Sequence, residues 1–262
     1  MRLIRAQFIL VTLAVAAAIA LAACSTIDPP NNDLLTSSIA PSTVRKSICV
    51  IAAIGDTFSV QKIGVTVFGN VLDKHPIDAW GIDSAVASKI GTRLSPRFDV
   101  RRIDYPVGTF LPVEQVKSVL SSDYKDHRAE IRDIARNITA SQRCDLCIVV
   151  TKSSSMYSNT NQAISGLGIL DNSNLLFENV FLFAIWEMRV FDGKTFEVLA
   201  HKRATSQDPP LMAAIRGPYR KVDKTWLPAP GQVAQSARLR NATAELVAQS
   251  LDPVVTELFT IR

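Results

Sequence analysis

The 262-residue sequence holds only three histidines, His75, His127 and His201, and none has a neighbour at the helical or strand spacing that would give a metal its second ligand. No His-Glu-x-x-His, no Gly-x-Ser-x-Gly and no glycine loop ending in Lys-Ser or Lys-Thr is present. Zinc hydrolysis, serine esterase chemistry and phosphate-loop binding therefore lack their usual scaffolds. Long runs of like charge are missing too. The largest basic cluster, His201-Lys202-Arg203, is too small a face for a nucleic-acid partner. The glycines of Ser165-Gly166-Leu167-Gly168 follow the apolar run 146–150 only after a polar stretch and lead into no helix pattern, as a dinucleotide site requires. Glu130 and Asp133 share a helix flank, but Arg132 and Arg136 beside them make it a solvated ion-pair face. No catalytic residue, metal ligand or cofactor is assigned. The chain reads as a non-enzyme, with an enzyme of unrecognised type as an alternative.

What is present starts at the amino terminus. Arg2 and Arg5 precede residues 8–23, which carry no charge. A basic segment followed by an apolar one reads as an export signal, and it is shorter than the roughly 20 apolar residues that span a bilayer. Leu21-Ala22-Ala23-Cys24 resembles the lipobox of bacterial lipoproteins. The resemblance implies cleavage before Cys24, a palmitate-type lipid on its thiol and acylation of the new amino terminus. An ordinary export signal, with Cys24 a spare thiol, is the alternative. Each buried methylene contributes about 0.8 kcal/mol, so two or more acyl chains hold a protein stably on a membrane. Ser25 stands where an aspartate would retain a Gram-negative lipoprotein in the inner membrane. The resemblance thus implies the outer membrane, facing the periplasm.

The reading divides the chain into a signal peptide, 1–23, a lipidated tether, 24–43, and one folded domain, 44–262. The tether holds Pro29, Pro30, Asn31, Asn32 and Pro41, a composition that buries no core. As a coil it spans on the order of 25 Å, with a stretched limit of about 65 Å. Loss of Arg2 and Arg5 with the signal takes the net charge from +5 to about +3. Cys49, Cys144 and Cys147 remain in the domain, and an odd number in an oxidising compartment leaves one unpaired or paired between chains. Residues three apart on a strand lie roughly 10 Å apart on opposite faces, so Cys144 and Cys147 do not bridge each other there. A thioredoxin-type site would place such a pair at a helix start. The residues read as small buried apolar side chains, with a Cys49 to Cys147 pair across adjacent strands as the alternative.

The continuous apolar run 48–54 predicts a strand covered on both faces, hence a sheet with helices over it. A half-exposed strand over 60–68 follows, with Ile63, Val65 and Val67 inward. Ile82, Val86, Ile90 and Leu94 make one stripe on an amphipathic helix, with Asp78 or Asp83 near its start and Arg93 near its end to suit the dipole. A strand over 98–104, a short helix over 113–120, a helix carrying Ile131, Ile134, Ala135 and Ile138, and a strand over 146–150 continue the alternation. Segment 153–174, rich in Ser and Asn, reads as a mobile loop or as a hairpin that pairs with other copies or inserts in a membrane. A hairpin follows, with Leu182, Ala184, Trp186, Met188 and Val190 on one face and Glu187 and Arg189 on the exposed one. Matching like faces pairs Val190 with Phe196, Met188 with Val198, Trp186 with Ala200 and Arg189 with Glu197. An irregular proline-rich arm over 209–231, a helix over 234–251 and a separate short helix over 254–259, started by Asp252-Pro253, complete the domain.

The stretches "SICVIAAIG", "KIGVTVFGN", "WGIDSAVASKIGTRLSPRFDV", "CDLCIVV" and "VFDGKTFEVLA", with a closing helix, resemble a broad group of proteobacterial envelope lipoproteins. Their fold is similar to the α/β domain shared by the amino-terminal part of the periplasmic Tol-system protein and the curli-export lipoprotein. The resemblance implies a single α/β (α+β) domain, a mixed sheet flanked by helices with an antiparallel hairpin and a closing helix. It also implies contacts with envelope proteins, a homo-oligomer being compatible, and no nucleic acid. An accessory module for protein assembly or transport is the leading expectation. A multimeric outer-membrane secretion pore is the second, since the curli-export lipoprotein closes a pore with membrane hairpins. Segment 153–174 is the one candidate hairpin here and alternates poorly.

Overall fold

The computed structural model describes residues 45–64, 67–114, 127–157, 162–174, 177–206 and 215–259. Ten strands and four α-helices occur among them: β1 (Ser47–Ala53), β2 (Thr57–Lys62), β3 (Val71–Pro76), α1 (Ile82–Leu94), β4 (Asp99–Arg102), α2 (Leu111–Glu114), α3 (Arg128–Thr139), β5 (Leu146–Lys152), β6 (Ser154–Met156), β7 (Ala163–Asp171), β8 (Val180–Asp192), β9 (Val198–Arg203), β10 (Tyr219–Val222) and α4 (Ala237–Phe259). They form one mixed α/β domain around a ten-stranded sheet.

The 13-residue strand β8 organises the sheet. Its second part pairs antiparallel with β5 on one side and β9 on the other, and its first part pairs with β7 and β10. Beyond β5 lie the parallel strands β1 and β4; beyond β7 lie β2 and the antiparallel edge strand β3. The sheet therefore has two halves, spliced along β8 and along the β1 to β2 continuation.

All seven residues of β1 are buried because both faces are covered. Ile48, Val50 and Ala52 face the layer of α1 and α4, where Ile82, Val86, Ile90, Leu94, Leu246, Val254 and Leu258 meet them. Cys49, Ile51 and Ala53 face α3 through Ile131 and Ala135. A third cluster, including Tyr157, Ile164, Phe181, Phe183 and Ile215, fills the α3-side face of the other half.

Several sequence expectations are corrected. The strand expected over 60–68 ends at Lys62, and Val67–Gly69 is a 3-10 turn that leaves Phe68 outward, 96% exposed. Segment 153–174 is no free loop: β6 and β7 pair antiparallel within it as a hairpin, and β7 runs between β2 and β8 in the sheet. Six consecutive residues of β7, 166–171, are buried, so covered faces, not exposure, erased its alternation. Gly168 sits where a Cβ would come within 2.5 Å of the Phe183 ring and 2.6 Å of the Ser59 carbonyl oxygen. It is a packing glycine.

The expected hairpin register is also overturned. Val190 lies opposite Ala200, Arg189 opposite His201 and Met188 opposite Lys202, with an irregularity between Val190 and Phe191. The turn is the cause. The Asp192 carboxylate accepts from the Lys194 and Thr195 N–H groups at 2.8 Å. Phe196, at φ 59, turns to the opposite face beside Phe191, at a ring separation of 6.4 Å. With Phe196 used in the turn, the return strand slides along β8.

Finally, α4 is one helix through Pro253. A proline inside a helix costs about 3 kcal/mol. Leu251, Val254, Val255, Leu258 and Phe259 continue the buried stripe beyond or beside it, and full burial contributes about 1.5–3 kcal/mol for each large apolar side chain. Packing wins by that count. Asp252 is held by Lys89 at 2.8 Å and Arg93 at 3.2 Å, while Lys89 also donates to the Ala248 carbonyl at 2.8 Å.

Candidate functional site

Leu21, Ala22, Ala23 and Cys24 lie outside the described residues. The domain cysteines lie within one buried cluster. Cys49 is joined to Cys144, with 5.7 Å between their Cα atoms, and not to Cys147, its register neighbour across β1 and β5. Cys147 is a free, buried thiol, and burial pushes it up to about 12. The apolar-side-chain reading therefore describes Cys147, whereas Cys49 and Cys144 form a covalent clip that spacing alone does not indicate.

The histidines do not converge. His127 Nδ1 is 2.7 Å from Glu130 on its own helix, and Asp133 pairs with Arg132 and Arg136. His201 Nε2 is 2.9 Å from Glu187. The hairpin face expected to be exposed is in fact buried there: Glu187 and Arg189 are each 6% exposed. Arg189 binds Glu187 at 2.5 Å and Thr151 at 3.2 Å, and Arg203 approaches Glu187 at 3.4 Å. Burial alone would raise the Glu187 carboxyl, but the His201 hydrogen bond and the Arg189 charge outweigh it and hold the group at about 2. This network clamps β5, β8 and β9 together. Among the described residues, no three or more His, Cys, Asp or Glu are placed to hold a metal ion.

A crevice of about 160 Å³ opens past the carboxyl ends of β1 and β4, lined in part by Ala52, Asp56, Asp83, Arg102, Asp104 and Tyr105. Open α/β sheets bind ligands at such a place. Here, however, the polar groups serve the fold. Asp83 accepts from the Ile54 and Gly55 N–H groups at 2.8 and 2.9 Å, tying α1 to the end of β1. Burial raises its carboxyl to about 6, against those two hydrogen bonds. The Lys152 ammonium donates to Asp56 and, at 2.6 Å, to Thr57. Tyr105 donates to the Ala52 carbonyl at 2.6 Å, and Arg102 pairs with Asp104 at 2.9 Å.

The surface that stands out is at one end of the sheet. Register places Val71, Lys62, Asp171, Val180 and Val222 in a row across β3, β2, β7, β8 and β10. The loops leaving this row, 63–70 and 172–179, carry Phe68 and Phe177, which are 96% and 64% exposed. Val71 and Leu72, 46% and 55% exposed, extend the apolar surface onto β3. Among the described residues β3 pairs only with β2, and no described strand covers its outer edge. Large exposed apolar groups gathered at one place mark contact surfaces. The sequence reading placed Phe68 at the end of a half-exposed strand and did not single out the loop that presents it.

No protein-family model matches the chain, and no curated protein matches it. Among solved structures, the PelC dodecamer from Paraburkholderia phytofirmans is similar at a TM-score of 0.29 and 12% identity, over 80% of this chain and 86% of its own. Lipoprotein GNA1162 from Neisseria meningitidis is similar at 0.27 and 12%, over 78% and 99%. The LpoB C-terminal domain from Salmonella enterica is similar at 0.23 and 13%, over 68% and 95%. Likenesses of this size carry nothing about chemistry or partners.

Proposed function

We propose that this chain is a lipid-anchored periplasmic protein of the outer membrane. It acts there as a non-enzymatic binding and accessory module for protein assembly or transport. The observation that carries the reading is the pair of exposed phenylalanines, Phe68 and Phe177, on neighbouring loops at one end of the sheet. The domain begins at the other end, since Ser47 opens β1 beside Asp99, and β8 spans about 40 Å between the two ends. Burying a phenylalanine side chain contributes about 1.5–3 kcal/mol, so the two of them, with Val71 and Leu72 beside them, would favour a protein contact.

The test is a fractionation and crosslinking pair. Wild type is expected in the membrane fraction, released by mild detergent, and Cys24→Ala in the soluble fraction. Photocrosslinkers at positions 68 and 177 are expected to give the same discrete adduct, absent from a probe at half-buried Arg132 on α3. Wild type in the soluble fraction would overturn the anchor. Identical adduct patterns at all three positions would overturn the contact surface.

A further inference from the structure

Cys49 has two partners within reach. Cys144, in the loop before β5, holds it now, and Cys147, three residues on, lies directly beside it in register. Neighbouring strands are about 4.8 Å apart, inside the 4.4–6.8 Å separation of Cα atoms that a disulfide accepts. Cys49, Cys147 and Cys144 are 0%, 1% and 6% exposed and share one cluster. We propose that these three residues form a disulfide-exchange centre, in which the bond to Cys49 migrates between Cys144 and Cys147 with no change in oxidation state.

The step balances within the chain. The Cys147 thiol gives up its proton, and its thiolate sulfur attacks Cys49 Sγ. The bond between Cys49 and Cys147 forms as that between Cys49 and Cys144 breaks. The electron pair leaves on Cys144 Sγ, which takes up a proton. One disulfide and one thiol exist before and after. The thiol moves from the second residue of β5 to the loop before it, where Arg143 has φ 48 and the Asp145 carboxylate accepts from Ser47 N–H and Oγ at 2.8 and 2.9 Å. The exchange makes the clip a positional switch: one isomer keeps the thiol in β5 and the other keeps it in the loop before that strand.

The surroundings set the pace. Around Cys147 the packing is apolar, with Ile51 from β1, Ile131 and Ala135 from α3, Val149 from β5, Phe191 from β8 and Phe196 from the turn. The ionisable groups at the margin are Tyr105, which donates to Ala52, Asp145, Arg136 over the Phe196 ring, and the Glu187 and Arg189 pair. Burial pushes the thiol up to about 12, so at neutral pH about one molecule in 10⁵ carries the attacking thiolate. Exchange is therefore slow in the closed fold and accelerates about tenfold per pH unit.

The experiment uses the wild-type protein without added thiol. Samples held at pH 6 and pH 9 are quenched in acid, unfolded, labelled with a maleimide and cleaved before Asp145, which separates Cys144 from Cys147. At pH 6 the label is expected on Cys147. At pH 9 it should appear on Cys144 as well, at a rate that rises about tenfold per pH unit and does not depend on protein concentration. Label confined to Cys147 at both pH values would overturn the proposal. So would label on Cys144 in Cys147→Ser at pH 9, because that thiol could not have come from exchange.

Discussion

Glu187 is a buried carboxylate surrounded by Arg189, His201 and Arg203. Its folded value of about 2 lies below the ordinary 4.5. Its contribution to stability is therefore complete above about pH 4.5 and is lost as pH falls towards 2. Removing one member of a buried pair costs about 3–5 kcal/mol. Glu187→Gln is expected to lose that order of stability in denaturant unfolding at pH 7, with a much smaller difference from wild type at pH 2.5. Asp83 has the opposite sign. Its folded value, about 6, lies above the ordinary 3.8, so stability from its neutral form is complete below 3.8 and is lost as pH rises through 6. Asp83→Asn keeps an acceptor for the Ile54 and Gly55 N–H groups and removes the titration. Its stability should be flat between pH 4 and 7, where wild type falls by at most about 3 kcal/mol. Thr243 Oγ1 is the buried side-chain polar atom without a hydrogen-bond partner among the described residues. Leaving such a group unsatisfied costs about 1–3 kcal/mol, so Thr243→Val should unfold at equal or higher denaturant concentration.

Elements built on a local stripe were legible in the sequence. Ile82, Val86, Ile90 and Leu94 are buried along α1, Ile131 and Ala135 along α3, and the apolar run around Val50 is a fully covered strand. Elements whose pattern is set by neighbours were not. β3, Val-Leu-Asp-Lys-His-Pro, is an edge strand with little burial and hence no apolar run to read. β10 hides in a proline-rich arm, and β7 lost its alternation to covered faces. Glu187 and Arg189 read as exposed, with Arg189 opposite Glu197, because nothing local announces that their face is covered. Pro253 looked like a boundary because a propensity of about 3 kcal/mol is visible in sequence, whereas the packing that outweighs it is not. The continuity of α4 is testable. Leu258→Ala and Leu246→Ala should each cost about 2–5 kcal/mol in denaturant unfolding; a loosely attached last turn would make the first lose less than about 1 kcal/mol.

Across the whole molecule, the two halves of the sheet have different surroundings. The β1, β4, β5 half carries helices on both faces and the Cys49 to Cys144 clip. The β2, β3, β7 half ends in the edge strand β3 and the two phenylalanine loops. Phe68→Ser with Phe177→Ser should change folding stability by less than about 0.5 kcal/mol, as surface substitutions do, while removing the contact. The most direct measurement is site-specific photocrosslinking in intact cells from positions 68 and 177, beside a probe at Arg132. The account predicts one shared adduct from the two loop positions, lost from either probe when the other position carries serine. Crosslinking at Arg132 as strong as at the loops, or none at the loops above background, would contradict it.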